Sequence, residues 1–135
     1  MSRHFGIDAN ILVRLAVLDD QRQLDIVSVL LARLSDEDAL YVNISVMLET
    51  HWVLRRLYGY DRTAVLGFLQ AVLERREFEV AEYEAVGNAL HICRMNNVDF
   101  ADALLSEMNR RAGCTTTLTF DKKAAERVPG MELLA

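Results

Sequence analysis

The sequence predicts an α/β fold, with a central parallel β-sheet flanked by helices on both faces. Short apolar or β-branched segments recur along the chain, and segments with helical spacing of apolar residues separate them. The one proline is Pro129, and no linker, repeat or low-complexity run divides the sequence. With 135 residues, the chain is long enough for one core, so a single domain over residues 1–135 is predicted.

Each element rests on a local signal. Strands are predicted at residues 4–7, 40–42, 78–80, 115–120 and 132–134, the fourth being the richest in β-branched residues. Helices are predicted at residues 9–15, 21–34, 45–58, 61–73, 82–96, 100–112 and 122–127. Ser45 and Asp61 are expected as N-caps, and Gly59 and Gly113 as helix ends. The predicted inward residues of the helix at 100–112 are Ala101, Leu104, Leu105 and Met108.

Composition restricts the class of protein. Hydrophobic residues make up 52% of the chain, yet no stretch approaches a membrane span, and the N-terminus leads directly into a strand. A cytoplasmic protein is therefore predicted, with Cys93 and Cys114 as two buried, reduced thiols. The net charge of −5 argues against broad wrapping of nucleic acid. Local phosphate contacts could still come from residues 55–56 or 110–111, although a solvated helix face explains any single pair better.

Four acidic residues stand where a strand or a helix would deliver them to one site: Asp8, Glu49, Asp102 and Asp121. Asp8 and Asp121 follow predicted strands, at the carboxyl ends where α/β folds place their sites. Carboxylates gathered from distant segments repel one another unless a cation lies between them. The pattern therefore predicts a divalent-metal site and a metal-dependent hydrolase.

Taken singly, each acid has an ordinary alternative role. Asp8 and Asp121 could cap the helices that follow them, and Asp99 is a natural N-cap with Asp102 three residues later. Glu49 could face solvent, but it shares a helix face with apolar residues, so a fully exposed position fits poorly.

The segments that carry these acids closely resemble the PIN-domain ribonucleases, and specifically the VapC toxins of bacterial toxin–antitoxin pairs. The matching stretches occur in family order and at family spacing, and are residues 7–14, 44–54, 99–105 and 119–121. The one small departure is Ala9, where the commonest first motif of the family has Thr.

The resemblance implies roles for the residues of the site. The catalytic residues, which are also the ligands of Mg²⁺ or Mn²⁺, would be Asp8, Glu49, Asp102 and Asp121. Asp99 would be an auxiliary ligand. Asn10 and Thr119 would orient the carboxylates, although capping and strand propensity explain these two residues equally well.

The resemblance also implies a substrate and partners. The substrate would be RNA, such as transfer RNA or ribosomal RNA, the inhibitor a cognate VapB-like antitoxin, and the oligomer a homodimer. The predicted hairpin of residues 45–58 and 61–73 corresponds to the antitoxin-binding region of relatives. Its apolar residues include Met47, Trp52, Tyr58, Tyr60 and Phe68, and Trp52 is expected to pack into the core.

Other activities fit the pattern less well. A haloacid-dehalogenase-type phosphatase needs an acid where the chain has Asn10, and a receiver domain orders its acids and lysine differently. A PIN-like module that binds RNA or protein, with weak or no catalysis, is the main alternative. Cleavage of DNA also stays open, because metal-assisted attack by water does not need a 2′-hydroxyl.

Overall fold

A computed structural model describes residues 2–134 of the chain. The strands are β1 (His4–Gly6), β2 (Ala39–Val42), β3 (Phe78–Val80), β4 (Thr117–Thr119) and β5 (Met131–Leu133). The helices are α1 (Ala9–Ala16), α2 (Gln21–Arg33), α3 (Ile44–Trp52), α4 (Arg62–Glu74), α5 (Tyr83–Asn96), α6 (Phe100–Arg111) and α7 (Lys122–Arg127). The predicted α/β class with parallel strands is confirmed.

The chain divides into two compact units, one up to Ala81 and one from Glu82 onward. The single domain over residues 1–135 stays a prediction. In the first unit, β1, β2 and β3 form a parallel sheet in that order. Leu40 and Val42 on the central strand are fully buried, whereas Tyr41 between them is exposed, because successive side chains of a strand point to opposite faces.

The helices of the first unit bury a set of apolar side chains that includes Leu12, Met47, Leu54, Val65 and Leu69. Burial contributes about 25 cal/mol for each Å² of apolar surface that is removed from water. These side chains are therefore the main source of stability for the unit.

The start of α3 differs from the prediction. Asn43, not Ser45, is the N-cap: its side chain accepts a hydrogen bond from the Val46 N–H at 3.0 Å. Ser45 donates its hydroxyl hydrogen to Asn43 Oδ1 instead. Because Asn43 directly follows β2, the helix begins at Ile44, earlier than a Ser45 cap would allow.

The end of the same helix also differs. The α-helix stops at Trp52 and continues as a π-helical turn, Val53–Leu57. Gly59 follows with a φ of +69°, which confirms the predicted glycine stop, because glycine adopts positive φ without a steric penalty.

The second unit contains α5, α6, the parallel pair β4–β5 and α7. Helices α5 and α6 pack together, and their buried residues include Val86, Leu90, Cys93 and Leu104. Gly113 follows α6 with a φ of +95° and ends that helix as predicted.

The predicted inward face of α6 is partly wrong. Leu104 is buried, but Ala101 is exposed and Leu105 is 50% exposed. The buried set is Phe100, Ala103, Leu104, Ser106 and Glu107. Glu107 tolerates burial because Asn88 on α5 and Arg110 donate hydrogen bonds to its carboxylate, both at 2.7 Å.

The two cysteines have different surroundings. Cys93 is buried, as predicted, whereas Cys114 is exposed in the loop after α6, so the prediction of a buried thiol is wrong there. Cys114 lies beyond the last residue of α6, so the apolar pattern of that helix does not determine whether the thiol is buried.

No helix within residues 2–134 has the length and hydrophobicity that a membrane-spanning helix needs.

Candidate active site

Asp8 stands two residues after the end of β1 and is the N-cap of α1. Its Oδ1 accepts a hydrogen bond from the Asn10 backbone N–H at 3.0 Å, and the residue is exposed. The predicted capping role is therefore present. It does not exclude a metal-binding role, because a carboxylate has a second oxygen atom for another partner. Asn10 takes part in this hydrogen bond through its backbone N–H and not through its side chain.

Glu49 lies in the middle of α3 and is exposed, which agrees with the alternative that it faces solvent. Trp52, three residues later, is 53% exposed, which corrects the prediction that it packs into the core. Val46, three residues before Glu49, is buried, so helical spacing identified a shared face but not how much of it is covered. An exposed carboxylate is accessible to a ligand.

Asp99, Asp102 and Asp121 line a single cavity of about 180 Å³ in the second unit. Asp99 directly precedes α6, and Asp102 lies in its first turn. Asp121 is the N-cap of α7, where its Oδ1 accepts from the Ala124 N–H at 3.0 Å. The first turn of α6 and the loop before α7 therefore bring together acids that are distant in sequence.

The electrostatics of this cavity are unfavourable to three full negative charges. Burial raises the pKa of Asp102, and the charges of Asp99 and Asp121 raise it further. Asp99 occupies the N-cap position but makes no side-chain capping bond, so capping does not account for its carboxylate. A cation in the cavity would relieve the repulsion.

Thr119 holds the chain next to Asp121. Its Oγ1 accepts a hydrogen bond from the Asp121 backbone N–H at 3.0 Å, while its carbonyl accepts from the Leu134 N–H at 2.9 Å. Thr119 thus fixes the backbone immediately before the Asp121 carboxylate, in addition to its place in β4.

Two basic residues that were not predicted as part of the site, Lys123 and Arg127, line the same cavity. They lie four residues apart on α7, a spacing that was visible in the sequence once that helix was predicted.

Three of the four arginines considered for phosphate contacts have partners elsewhere in the protein. Arg110 and Arg111 form ion pairs with Glu107, and Arg55 donates a hydrogen bond to the Tyr60 carbonyl. The basic residues that line the acidic cavity are instead Lys123 and Arg127 of α7.

The donor chemistry fits a hard divalent cation. Mg²⁺ takes oxygen ligands and keeps several waters, so one or two direct carboxylates suffice. Among residues 2–134, no group of three or more His, Cys, Asp or Glu side chains forms a ready-made ligand set. The structure brings Asp99, Asp102 and Asp121 to one cavity, whereas Asp8 and Glu49 belong to the first unit. Convergence of all these acids on one metal site stays a prediction.

One comparison with known proteins agrees with the resemblance of the motifs to PIN domains. The family model described as PIN domain matches residues 6–130, which is nearly the whole chain. No curated protein matches the chain.

Proposed function

This chain belongs to the PIN-domain family, whose members are generally nucleases, and on that premise we propose that it is a metal-dependent endoribonuclease. The observation that carries the proposal is the cavity lined by Asp99, Asp102 and Asp121, in which burial and mutual repulsion raise the pKa of Asp102. Repelling carboxylates at a cavity are expected where a divalent cation is to be bound.

The proposed catalytic residues are Asp8, Glu49, Asp102 and Asp121. They would hold Mg²⁺ or Mn²⁺, with Asp8 and Asp102 as the main ligands and Asp99 as an auxiliary one. When bound, such an ion lowers the pKa of a water molecule and neutralises charge on the phosphate. Glu49 or Asp121 would hold the attacking water and accept its proton as the water oxygen bonds to phosphorus. The bond from phosphorus to the ribose oxygen would break, and that oxygen would take up a proton from solvent.

We further propose the role of a VapC-type toxin that a VapB-like antitoxin inhibits. Support comes from an apolar cavity of about 210 Å³ in the first unit, lined by residues that include Leu15, Leu54, Tyr60 and Phe68. An antitoxin segment could place apolar side chains on this surface. A basic side chain of the antitoxin would be attracted by the acidic residues. A homodimer belongs to the same proposal.

The alternative is a PIN-like module that binds RNA or protein with weak or no catalysis. The lack of a ready-made set of three metal-binding side chains among residues 2–134 favours it. The two functions differ in whether a phosphodiester bond is broken, so a cleavage assay separates them.

The test uses purified, antitoxin-free protein and a pool of cellular RNA, incubated with and without Mg²⁺ or Mn²⁺. We expect cleavage only with metal, and loss of cleavage in Asp8→Ala and Asp102→Ala. Asp61→Ala is the matched control for Asp8→Ala, because Asp61 also caps a helix, α4. There its Oδ1 accepts a hydrogen bond from the Ala64 N–H at 2.8 Å.

Asp8→Ala and Asp61→Ala each remove one helix cap. A cap stabilises a protein by about 0.5–2 kcal/mol, so both variants should be similarly destabilised. Only Asp8→Ala should lose cleavage. Equal activity in wild-type protein and Asp8→Ala would contradict the site assignment. Absence of cleavage under every condition, in protein that is folded and binds RNA, would favour the binding module.

A further inference from the structure

The wall of the acidic cavity that α7 provides carries two basic side chains, Lys123 and Arg127. Their spacing of four residues puts them on one face of the helix. Within residues 2–134, neither forms an ion pair, unlike Arg110 and Arg111, which are paired with Glu107. Two unpaired cations beside carboxylates can receive an anion from solvent, and a phosphate group is the anion that the proposed substrate supplies.

An exposed aromatic residue directly precedes Asp121, which lines the same cavity. Phe120 is 75% exposed and immediately precedes Asp121, so their Cα atoms are about 3.8 Å apart. The backbone on both sides of Phe120 is held, because Thr119 accepts hydrogen bonds from Leu134 and Asp121, and Asp121 caps α7. The ring contributes little to the core, yet its backbone is firmly anchored.

We propose that Phe120, Lys123 and Arg127 position a single-stranded segment of RNA at the acidic cavity: the two basic groups bind its phosphates, and Phe120 stacks on an unpaired base. This inference rests on the proposed function and deepens it by naming three residues that position the substrate. Base stacking on an exposed ring requires an unpaired base, because the faces of a paired base are covered by its neighbours in the helix. Charge complementarity favours RNA over an apolar protein segment at this place.

Binding is measured separately from cleavage. The probe is a fluorescent single-stranded RNA pool of about 12 nucleotides with randomised sequence, within the usual range for single-strand sites. Affinity is determined in EDTA and in Ca²⁺, at salt concentrations from about 50 to 200 mM. The same length of duplex RNA is the comparison ligand.

For the basic pair, Lys123→Gln/Arg127→Gln should weaken single-strand binding and lower the slope of log affinity against log salt by about 1.4, since each lost phosphate contact on a single strand removes about 0.7. Lys122→Gln is the matched control for Lys123→Gln, because Lys122 lies on the same helix but outside the cavity lining. It should leave the slope nearly unchanged. An equal effect of Lys122→Gln and Lys123→Gln would contradict specific phosphate contacts.

For the ring, Phe120→Ala should weaken single-strand binding by about 5- to 150-fold, the range for one base–aromatic stack, while Phe120→Trp should retain it. Duplex binding should hardly change. Leu118→Ala is the control, because Leu118 is an exposed apolar residue on the adjoining strand β4. Unchanged affinity in Phe120→Ala, or an altered oligomeric state with normal RNA affinity, would overturn the inference.

Different experimental results would contradict the nuclease proposal and the positioning role. If wild-type protein cleaves RNA but these variants bind and cleave like wild type, the positioning role is wrong and the nuclease proposal stands. If no RNA is cleaved under any condition, but single strands bind in the manner described, the nuclease proposal is wrong. Failure of wild-type protein to bind the pool at low salt would overturn the positioning role directly.

Discussion

Arg3 and Asp38 are joined by two hydrogen bonds, each of 2.9 Å: the Arg3 backbone N–H donates to Oδ1, and its guanidinium donates to Oδ2. The Ser35 N–H donates to the same Oδ2 at 2.9 Å. The Asp38 side chain is only 1% exposed. These donors, the Arg3 guanidinium most of all, hold the pKa of Asp38 well below its usual range. The pair links the residues that immediately precede β1 and β2.

Asp38 should make the stability of the protein sensitive to acid. Because its pKa in the folded protein lies below the unfolded value of about 3.9, its contribution is present above that value and is lost as the pH falls below it. Asp38→Asn should therefore be less stable than wild type at neutral pH and lose less stability in acid. Chemical denaturation as a function of pH measures both effects.

The control for this substitution is Asp36→Asn, since the Asp36 side chain is 98% exposed. It should leave both the stability and its pH dependence close to wild type. Equal pH profiles for wild type and Asp38→Asn would show that the pair does not govern acid sensitivity.

Asp102→Asn should stabilise the metal-free protein and remove its response to metal. The substitution takes away a partly buried charge that repels Asp99 and Asp121, so the free energy of unfolding of the metal-free protein should rise. In wild-type protein, Mg²⁺ at about 100 times its dissociation constant should add about 2.7 kcal/mol. Thermal unfolding with Mg²⁺ and with EDTA tests both statements.

The control is Asp25→Asn, because Asp25 is an exposed acid on α2 and the substitution removes the same charge. Mg²⁺ should stabilise this variant as it stabilises wild-type protein. A metal-induced rise in Tm that is as large in Asp102→Asn as in wild type would exclude Asp102 as a ligand.

Thr50→Val should stabilise the fold. Thr50 is fully buried on α3, and its Oγ1 has no hydrogen-bond partner among the described residues. A buried hydroxyl without a partner costs about 1–3 kcal/mol, and valine has nearly the same shape, so a gain of about 1 kcal/mol is expected. Thr63 on α4 is exposed, so Thr63→Val should have little effect on the free energy of unfolding. Urea denaturation of both variants measures the difference; a less stable Thr50→Val would mean that the hydroxyl has a partner.

Two glycine-to-alanine substitutions should have opposite signs. At Gly130 the φ is +89°, and an added Cβ would lie 2.8 Å from Ser106 Oγ, so Gly130→Ala should destabilise by about 1–3 kcal/mol. Gly67 lies inside α4 with nothing within 4 Å of an added Cβ, so Gly67→Ala should stabilise by about 0.5–1 kcal/mol. Differential scanning calorimetry of the two variants tests the contrast, and effects of the same sign would contradict it.

Local signals were enough to predict the order of the elements and several of their ends. The predicted boundaries of β3 and α7 agree with the structure, and Asp8, Asp61 and Asp121 are N-caps. These features depend on residues close together in the chain, because a cap bonds to a backbone N–H within three positions. The sequence motifs likewise sufficed to identify the PIN-domain family.

Exposure could not be predicted in the same way. Helical periodicity shows that apolar residues share a face, but the residues that cover that face come from elsewhere in the chain. Trp52 and Leu105 remain exposed although the pattern placed them inside. Glu107 is buried, and a hydrogen bond from Asn88, on another helix, offsets the cost of that burial.

The pattern of residues alone was therefore sufficient for the fold class and the family, whereas the four acidic residues that it singled out stay a prediction. That Asp99, Asp102 and Asp121 share a cavity, and that Lys123 and Arg127 line it too, emerged only from the packed chain. Charge proximity depends on how α6 packs relative to α7, which no local pattern specifies. The raised pKa of Asp102 is a consequence of that packing, since burial and the two neighbouring charges arise only when the helices come together.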